Sequence, residues 1–365
     1  MKTELAKWTT FAEEFEIRHG PLPLAGPFGD FDSAPLFAAG VFDGKVTFDN
    51  PPEAVSKVLA EPVFAMSRAV GGFGGGITVQ WAVVPFTAKI PKPEATVEWK
   101  GISGDAVIAG PIFSGSFKGG GLVLTFSEGE ARLGDIEGSF DLNYLDAPLF
   151  FGKSSVGMAG FEAKSSKEPF SFSATAMKIF SERGYNCGLL DERGDLSVEL
   201  VKFGDFSFGP AGEHFAMKNI DYENFMKLFK EIAALAEKEA VGGITAQKDA
   251  DPLALIGDEG WIALKEALSK SPELENFEIW ASFPKGKAEA KISAAFDGKK
   301  EISRDIASIA RGLSAKVEAR VPAALADEWG ISMALPVQPE GGAYVVKGEM
   351  KNGEVFVNGA KLFSL

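Results

Sequence analysis

One cysteine and two histidines in 365 residues remove several chemistries at once. Cys187 cannot form an intrachain disulfide or a cysteine zinc site, and the count leaves the compartment open, since many exported proteins also lack disulfides. Beside Gly184-Tyr185-Asn186 and far in sequence from any histidine, it reads as a small, partly buried residue. Neither His19 nor His214 has a second histidine at ligand spacing, so no metal site is expected. His214 reads as a surface or half-buried side chain near a turn. His19 closes an alternating strand before Gly20-Pro21 and reads as a hydrogen-bonded lock on that turn. The chain also has no run of 18 apolar residues, and Glu4, Glu13, Glu14 and Glu16 stand where a signal peptide would be apolar. It reads as a soluble chain from which an anchor or signal has been removed, since Lys2 to Trp8 already has strand character.

Basic charge is in short supply, with 37 Lys plus Arg against 51 Asp plus Glu, a net charge of -14 and a pI near 4.8. Such a field opposes nucleic acid and anionic membrane surfaces, and no local basic cluster offsets it. Catalytic signatures are missing too. The glycines at 71 to 76 are not followed by Lys-Ser or Lys-Thr, so they do not form a phosphate cradle. Ser282-Phe283-Pro284-Lys285 has the Ser-x-x-Lys spacing but sits in a hairpin turn whose proline prevents the helical start such a nucleophile needs. After Asp249 and Asp251 the chain lacks the carboxylates and glycine of a calcium loop. No catalytic residue, metal or cofactor is expected.

What is present is glycine, 42 residues, and phenylalanine, 31 against 4 tyrosines. Leu196, Val198 and Leu200, then Phe206 and Phe208, repeat with a period of two, the mark of half-buried strands. From Asp221, a suitable N-cap, the spacing turns helical. Tyr222, Phe225, Met226, Phe229, Ile232, Ala233 and Ala236 share a stripe expected to lie on the sheet. Strand and turn dominate 77 to 145, which predicts a β-meander, and a hairpin turn is expected at Phe42-Asp43-Gly44-Lys45. A helix is expected over 53 to 60. Pro148 to Gly160 reads as a seam, dividing a β-rich sub-domain (1–155) from an α+β sub-domain (156–365). Hairpins follow at 277 to 292 and 343 to 357, with a second turn at Asn358-Gly359. Long helices do not alternate with strands. The class is therefore α+β, mainly antiparallel sheet with a few packed amphipathic helices, elongated in shape.

Phenylalanine gives apolar area without a polar handle, so it suits either a dry core or a groove for acyl chains. Phe206, Phe208, Phe225 and Phe229 are the candidate ligand-lining residues. Three passages carry a resemblance: His19-Gly20-Pro21-Leu22-Pro23, the run from Phe277 to Ala295, and the ending Gly348 to Gly359. Together they resemble the YdgA-like family of bacterial envelope proteins. The resemblance implies a Gram-negative periplasmic protein held at the inner membrane by one N-terminal segment absent from this chain, with no established activity. It carries over no catalytic residue, and marks His19, Gly20, Pro21, Asn358 and Gly359 as structural motif positions. The expected role is a non-catalytic interaction or scaffold module for an envelope protein partner. Binding or transport of a lipid or other hydrophobic ligand is the alternative, and a hydrolase a remote one.

Overall fold

The computed structural model describes residues 11–19, 24–25, 36–48, 63–91, 94–146, 149–167, 170–242, 256–332 and 339–365. The expected strand at 2–8, the helix at 53–60, Gly20, Pro21 and the side chain of His19 lie outside what is described. The chain divides into two compact units, residues 1–180 with 197–207, and residues 181–196 with 208–365.

In the first unit the strands are, in chain order, β1 (Phe11–His19), β2 (Leu24–Ala25), β3 (Leu36–Phe37), β4 (Gly40–Phe48), β5 (Val63–Gly71), β6 (Ile77–Val83) and β7 (Phe86–Pro91). Next come β8 (Glu94–Trp99), β9 (Ile102–Ala109), β10 (Ile112–Gly119), β11 (Leu122–Phe126), β12 (Gly129–Leu133), β13 (Ile136–Asp146) and β14 (Leu149–Ser165). All pairings are antiparallel. One ladder runs β1, β4, β5, β6, β9, β10, β13, β14, and a second runs β7, β8, β11, β12, β14. The meander expected over 77 to 145 is present.

The two ladders are one set of strands broken at matching places. Trp99 pairs with Leu122 and Ile102 with Gly119, so the break at Lys100-Gly101 faces the break at Gly120-Gly121. Lys100 N donates to Gly121 O at 3.1 Å and Gly120 N to Gly101 O at 3.0 Å. Gly134-Asp135 continues the line to β14, with Gly134 N donating to Gly160 O at 2.7 Å and Ala159 N to Asp135 O at 2.8 Å. Val84-Pro85 extends it on the other side. A crease therefore crosses the strands, and glycine makes it: Gly101 and Gly121 have φ of 86° and 82°, a region L side chains avoid.

On one face of this sheet aromatic rings lie over glycines. Trp81 covers Gly104, Phe117 covers Gly138, and Phe140 covers Gly115, so a Cβ at Gly104 would meet Trp81 Cε2 at 2.8 Å and one at Gly115 would meet Phe140 Cζ at 2.7 Å. Phe113 and Phe140 stack at 4.6 Å between ring centroids. Glycine leaves the space that the neighbouring ring fills, one use of the abundant Phe and Gly. The opposite face carries Ser, Lys and acid residues.

The Asp-Gly expected to turn a hairpin at 42 to 45 lies inside β4. The Asp43 side chain is fully buried and takes Arg68 Nε at 2.7 Å and a second Arg68 nitrogen at 3.1 Å, with Arg18 also on its carboxylate. Gly44 admits the Phe15 ring, whose nearest carbon would be 3.1 Å from a Cβ there. Turn chemistry was overridden by a buried ion pair and a ring contact. The stretch read as a seam is largely the 17-residue strand β14, continuous because β13 and β12 both pair with it.

Strands β15 (Ser171–Asn186) and β16 (Leu189–Val198) carry the chain into the second unit. After them come β17 (Leu200–Phe203), β18 (Phe206–Phe208) and β19 (Ala211–Asp221). Helix α1 (Tyr222–Gly242) and α2 (Asp258–Ser269) precede β20 (Glu273–Phe283) and β21 (Gly286–Phe296). Then follow α3 (Ile306–Gly312), β22 (Leu313–Pro322), α4 (Ala323–Glu328), β23 (Ala343–Lys351), β24 (Glu354–Val357) and β25 (Ala360–Ser364). β19 to β25 pair in sequence order, and β16 joins β19. The hairpin expected from Phe277, Ile279 and Ala281 has the anticipated partners Ile292, Ala290 and Ala288. Alternation gives this sheet one apolar face, in which Phe277, Ile292, Val317, Gly348 and Val357 align. On the other face Glu278, Lys291, Glu318 and Lys347 alternate in sign. The α+β class holds in its coarse form, with sheet predominant.

Candidate functional site

Helix α1 starts where the sequence places it. Asp221 caps it, with Asn224 N donating to Asp221 Oδ1 at 3.2 Å. Its orientation differs from expectation. The half-buried positions are Tyr222, Asn224, Met226, Leu228 and Glu231, whereas Phe225, Phe229 and Ile232 are 49%, 57% and 49% exposed. The cause is the neighbour: among the described residues α1 packs chiefly on α2 and meets the sheet mainly at β19. Glu231 reaches the start of α2 against Gly257 and Gly260, where a Cβ on Gly260 would collide with its carboxylate. Positions 225, 229 and 232 lie one and two turns apart, so three large apolar side chains share an outward face. Lys227 lies beside them, bonded to Glu223 at 2.7 Å; that hydrogen bond, which outweighs the opposing effect of burial and is helped by the Glu223 charge, holds the Lys227 ammonium above its ordinary range.

The other two candidate phenylalanines sit elsewhere. Phe208 packs against Phe283, ring centroids 5.5 Å apart, and Phe283 meets Trp329 edge-on at 5.2 Å. Phe206 is 47% exposed on β18, one Gly204-Asp205 turn from Phe203, itself 56% exposed. Phe203 contacts the exposed Phe170 at 5.5 Å, while the half-buried Phe161 and Phe172 pack at 5.9 Å, so exposed phenylalanines gather in the first unit beside half-buried ones. Phe208, Phe225 and Phe229 belong to the second.

The terminal hairpins are built as expected. Asn352-Gly353 and Asn358-Gly359 all have positive φ, and Asn358 Oδ1 accepts Lys347 N at 2.8 Å while Asn358 N donates to Lys347 O at 2.7 Å. Asn358 and Gly359 thus hold the turn into β25. All five β25 residues are exposed, Leu362 at 60% and Phe363 at 51%. The strand is short, carries Lys361, and is bulged at Leu362, three devices that discourage indiscriminate edge pairing.

Cys187 is exposed, not partly buried. It occupies a two-residue turn with Gly188, both at positive φ. His214 Nδ1 lies 2.6 Å from Asp195 Oδ1, a half-exposed pair between β16 and β19 that sequence spacing could not reveal. Among the described residues no three His, Cys, Asp or Glu side chains are grouped for a metal ion.

A family model described as "Bacterial protein of unknown function (DUF945)" matches residues 4–336, and the chain belongs to that family. No curated protein and no solved structure matches the chain.

Proposed function

We propose that this chain is a non-catalytic interaction module of the bacterial cell envelope, docking a protein partner through the outward face of α1. The observation that supports the reading is the row Phe225, Phe229 and Ile232, half exposed on one helix face. An amphipathic helix laid into a partner's apolar groove uses anchors at this spacing. The net charge of -14 disfavours an anionic bilayer as the occupant. A photo-crosslinking phenylalanine analogue at 225 or 229 in the full chain, exported in a Gram-negative cell, is expected to trap one discrete partner, and one at Lys300 none. The Phe225→Ser, Phe229→Ser double variant is expected to keep its fold, with about 0.5 kcal/mol or less lost per exposed site, and to lose the partner. Identical adducts from all three positions, or none, would sink the reading, as would recovery of the chain from the cytoplasm.

The exposed group of Phe170, Phe203 and Phe206 favours a second reading, retention of a hydrophobic ligand such as a lipid. Native mass spectrometry with lipid extraction is then expected to show a stoichiometric adduct that disappears in a Phe203→Ser, Phe206→Ser variant. A clean apo mass would eliminate it.

A further inference from the structure

The crease of the first unit opens as a groove of about 1070 Å³ on the face of the sheet that carries Lys118 and Glu137. It crosses six strands, from β6 through β9, β10, β13 and β14 to β15. At ~4.8 Å per strand that is about 24 Å, the length of roughly seven extended residues. Strand register fixes what lines it. Ala82, Ser103, Lys118, Glu137 and Gly157 stand in one row across the sheet, each the backbone partner of the next. Lys100, Asp135 and Lys178 line the groove beside that row, and Asp105 accepts the Ser116 hydroxyl at 3.0 Å.

Opposite charges so placed would ordinarily pair. Yet the side chains of Lys100, Lys118, Lys178, Asp135 and Glu137 make no hydrogen bond or ion pair among the described residues, although Lys118 and Glu137 are register partners. The floor between them is small: Ala82, Gly120, Gly157, Ala159 and Ala176. Phe117, part of the wall by its backbone, turns its ring to the opposite face beside Trp81 and Gly138.

We infer that this groove is a binding site for an extended peptide segment carrying both basic and acidic side chains, laid across the strands. Three lysines against three carboxylates give the groove no net charge, so a polyanion gains nothing there from bulk attraction. No aromatic ring faces it as a platform for sugars or bases, and Val84, Pro85, Met158 and Met177 add apolar surface beside the charged row, which suits a segment whose charged residues are interspersed with apolar ones. A floor of Gly and Ala accepts a peptide backbone, and the ammonium and carboxylate groups set beside it select side chains of both signs. This site is independent of the α1 face.

The test is selection of ten-residue peptides, randomised over Ala, Ser, Lys and Glu, on the immobilised full chain. Peptides carrying both charges are expected to be enriched, and a selected peptide is expected to bind the Lys118→Ser, Glu137→Ser variant about tenfold more weakly. Binding to a Phe225→Ser, Phe229→Ser variant is expected to be unchanged, which separates the groove from the α1 reading. Because both groove residues are exposed on a sheet face, the melting temperature reports whether the fold survives. No enrichment, enrichment of peptides of a single charge sign, or equal affinity for a folded groove variant would each overturn the assignment.

Discussion

Replacing Arg68 by Met is expected to lower the stability of the first unit by about 3–5 kcal/mol, read from the midpoint of urea denaturation. The Arg68 and Asp43 side chains are both fully buried, and two short bonds join the guanidinium to the carboxylate. Removing one member leaves a charge without its partner in a medium that solvates it poorly, and that penalty sets the size of the effect. Arg18 softens the loss only in part. It also reaches Asp43, but its side chain is 35% exposed and lies 3.8 Å from Glu16. The double variant Asp43→Leu, Arg68→Met is expected to recover most of the stability, because an apolar pair of similar volume needs no desolvation. A single Arg68→Met loss below ~1 kcal/mol, or a double variant no better than the single, would show that the pair does not hold β4 to β5.

Asp43 also shows where sequence reading stops. Local chemistry correctly placed turns at Asn352-Gly353 and Asn358-Gly359, because flanking strands could pair across them without another demand on those residues. The same chemistry failed at Asp43-Gly44, where the decisive partners are Arg18 and Arg68, 25 residues away on either side. Period-two patterning located the strands of both units, and register came with it wherever a short turn joined them, as between Phe277 and Ile292. It could not show that breaks at 100–101, 120–121 and 134–135 line up, since that depends on pairing and not on any one strand. The groove was invisible for the same reason: Lys118, Glu137 and Ser103 are separated in sequence and meet only through register. For α1, periodicity found the apolar stripe but not the direction it faces. The competing partner was α2, not the sheet.

The crease supplies the second large effect. Gly121 has φ of 82°, which costs an L-residue about 1–2 kcal/mol, and a Cβ there would lie 2.7 Å from Gly134 O and closer still to Leu133 O. Both obstacles are backbone, Leu133 held in the β11 to β12 ladder and Gly134 by its N donating to Gly160 O, so no side-chain rotation relieves them. Gly121→Ala is therefore expected to cost about 3 kcal/mol or more, the sum of strain and overpacking. Gly157→Ala is the matched control. Its nearest neighbour would be Glu137 Cγ at 3.5 Å, ordinary contact, and it lines the groove itself, so its expected stability change is within about 0.5 kcal/mol. Equal stability of the two variants would mean that the strands can shift past one another at 120–121. The crease would then be a soft bend, unable to hold Lys100, Lys118 and Glu137 in fixed register for a ligand. A large difference, with peptide selection lost in Gly121→Ala, would tie the groove's binding to the backbone geometry that glycine alone permits there.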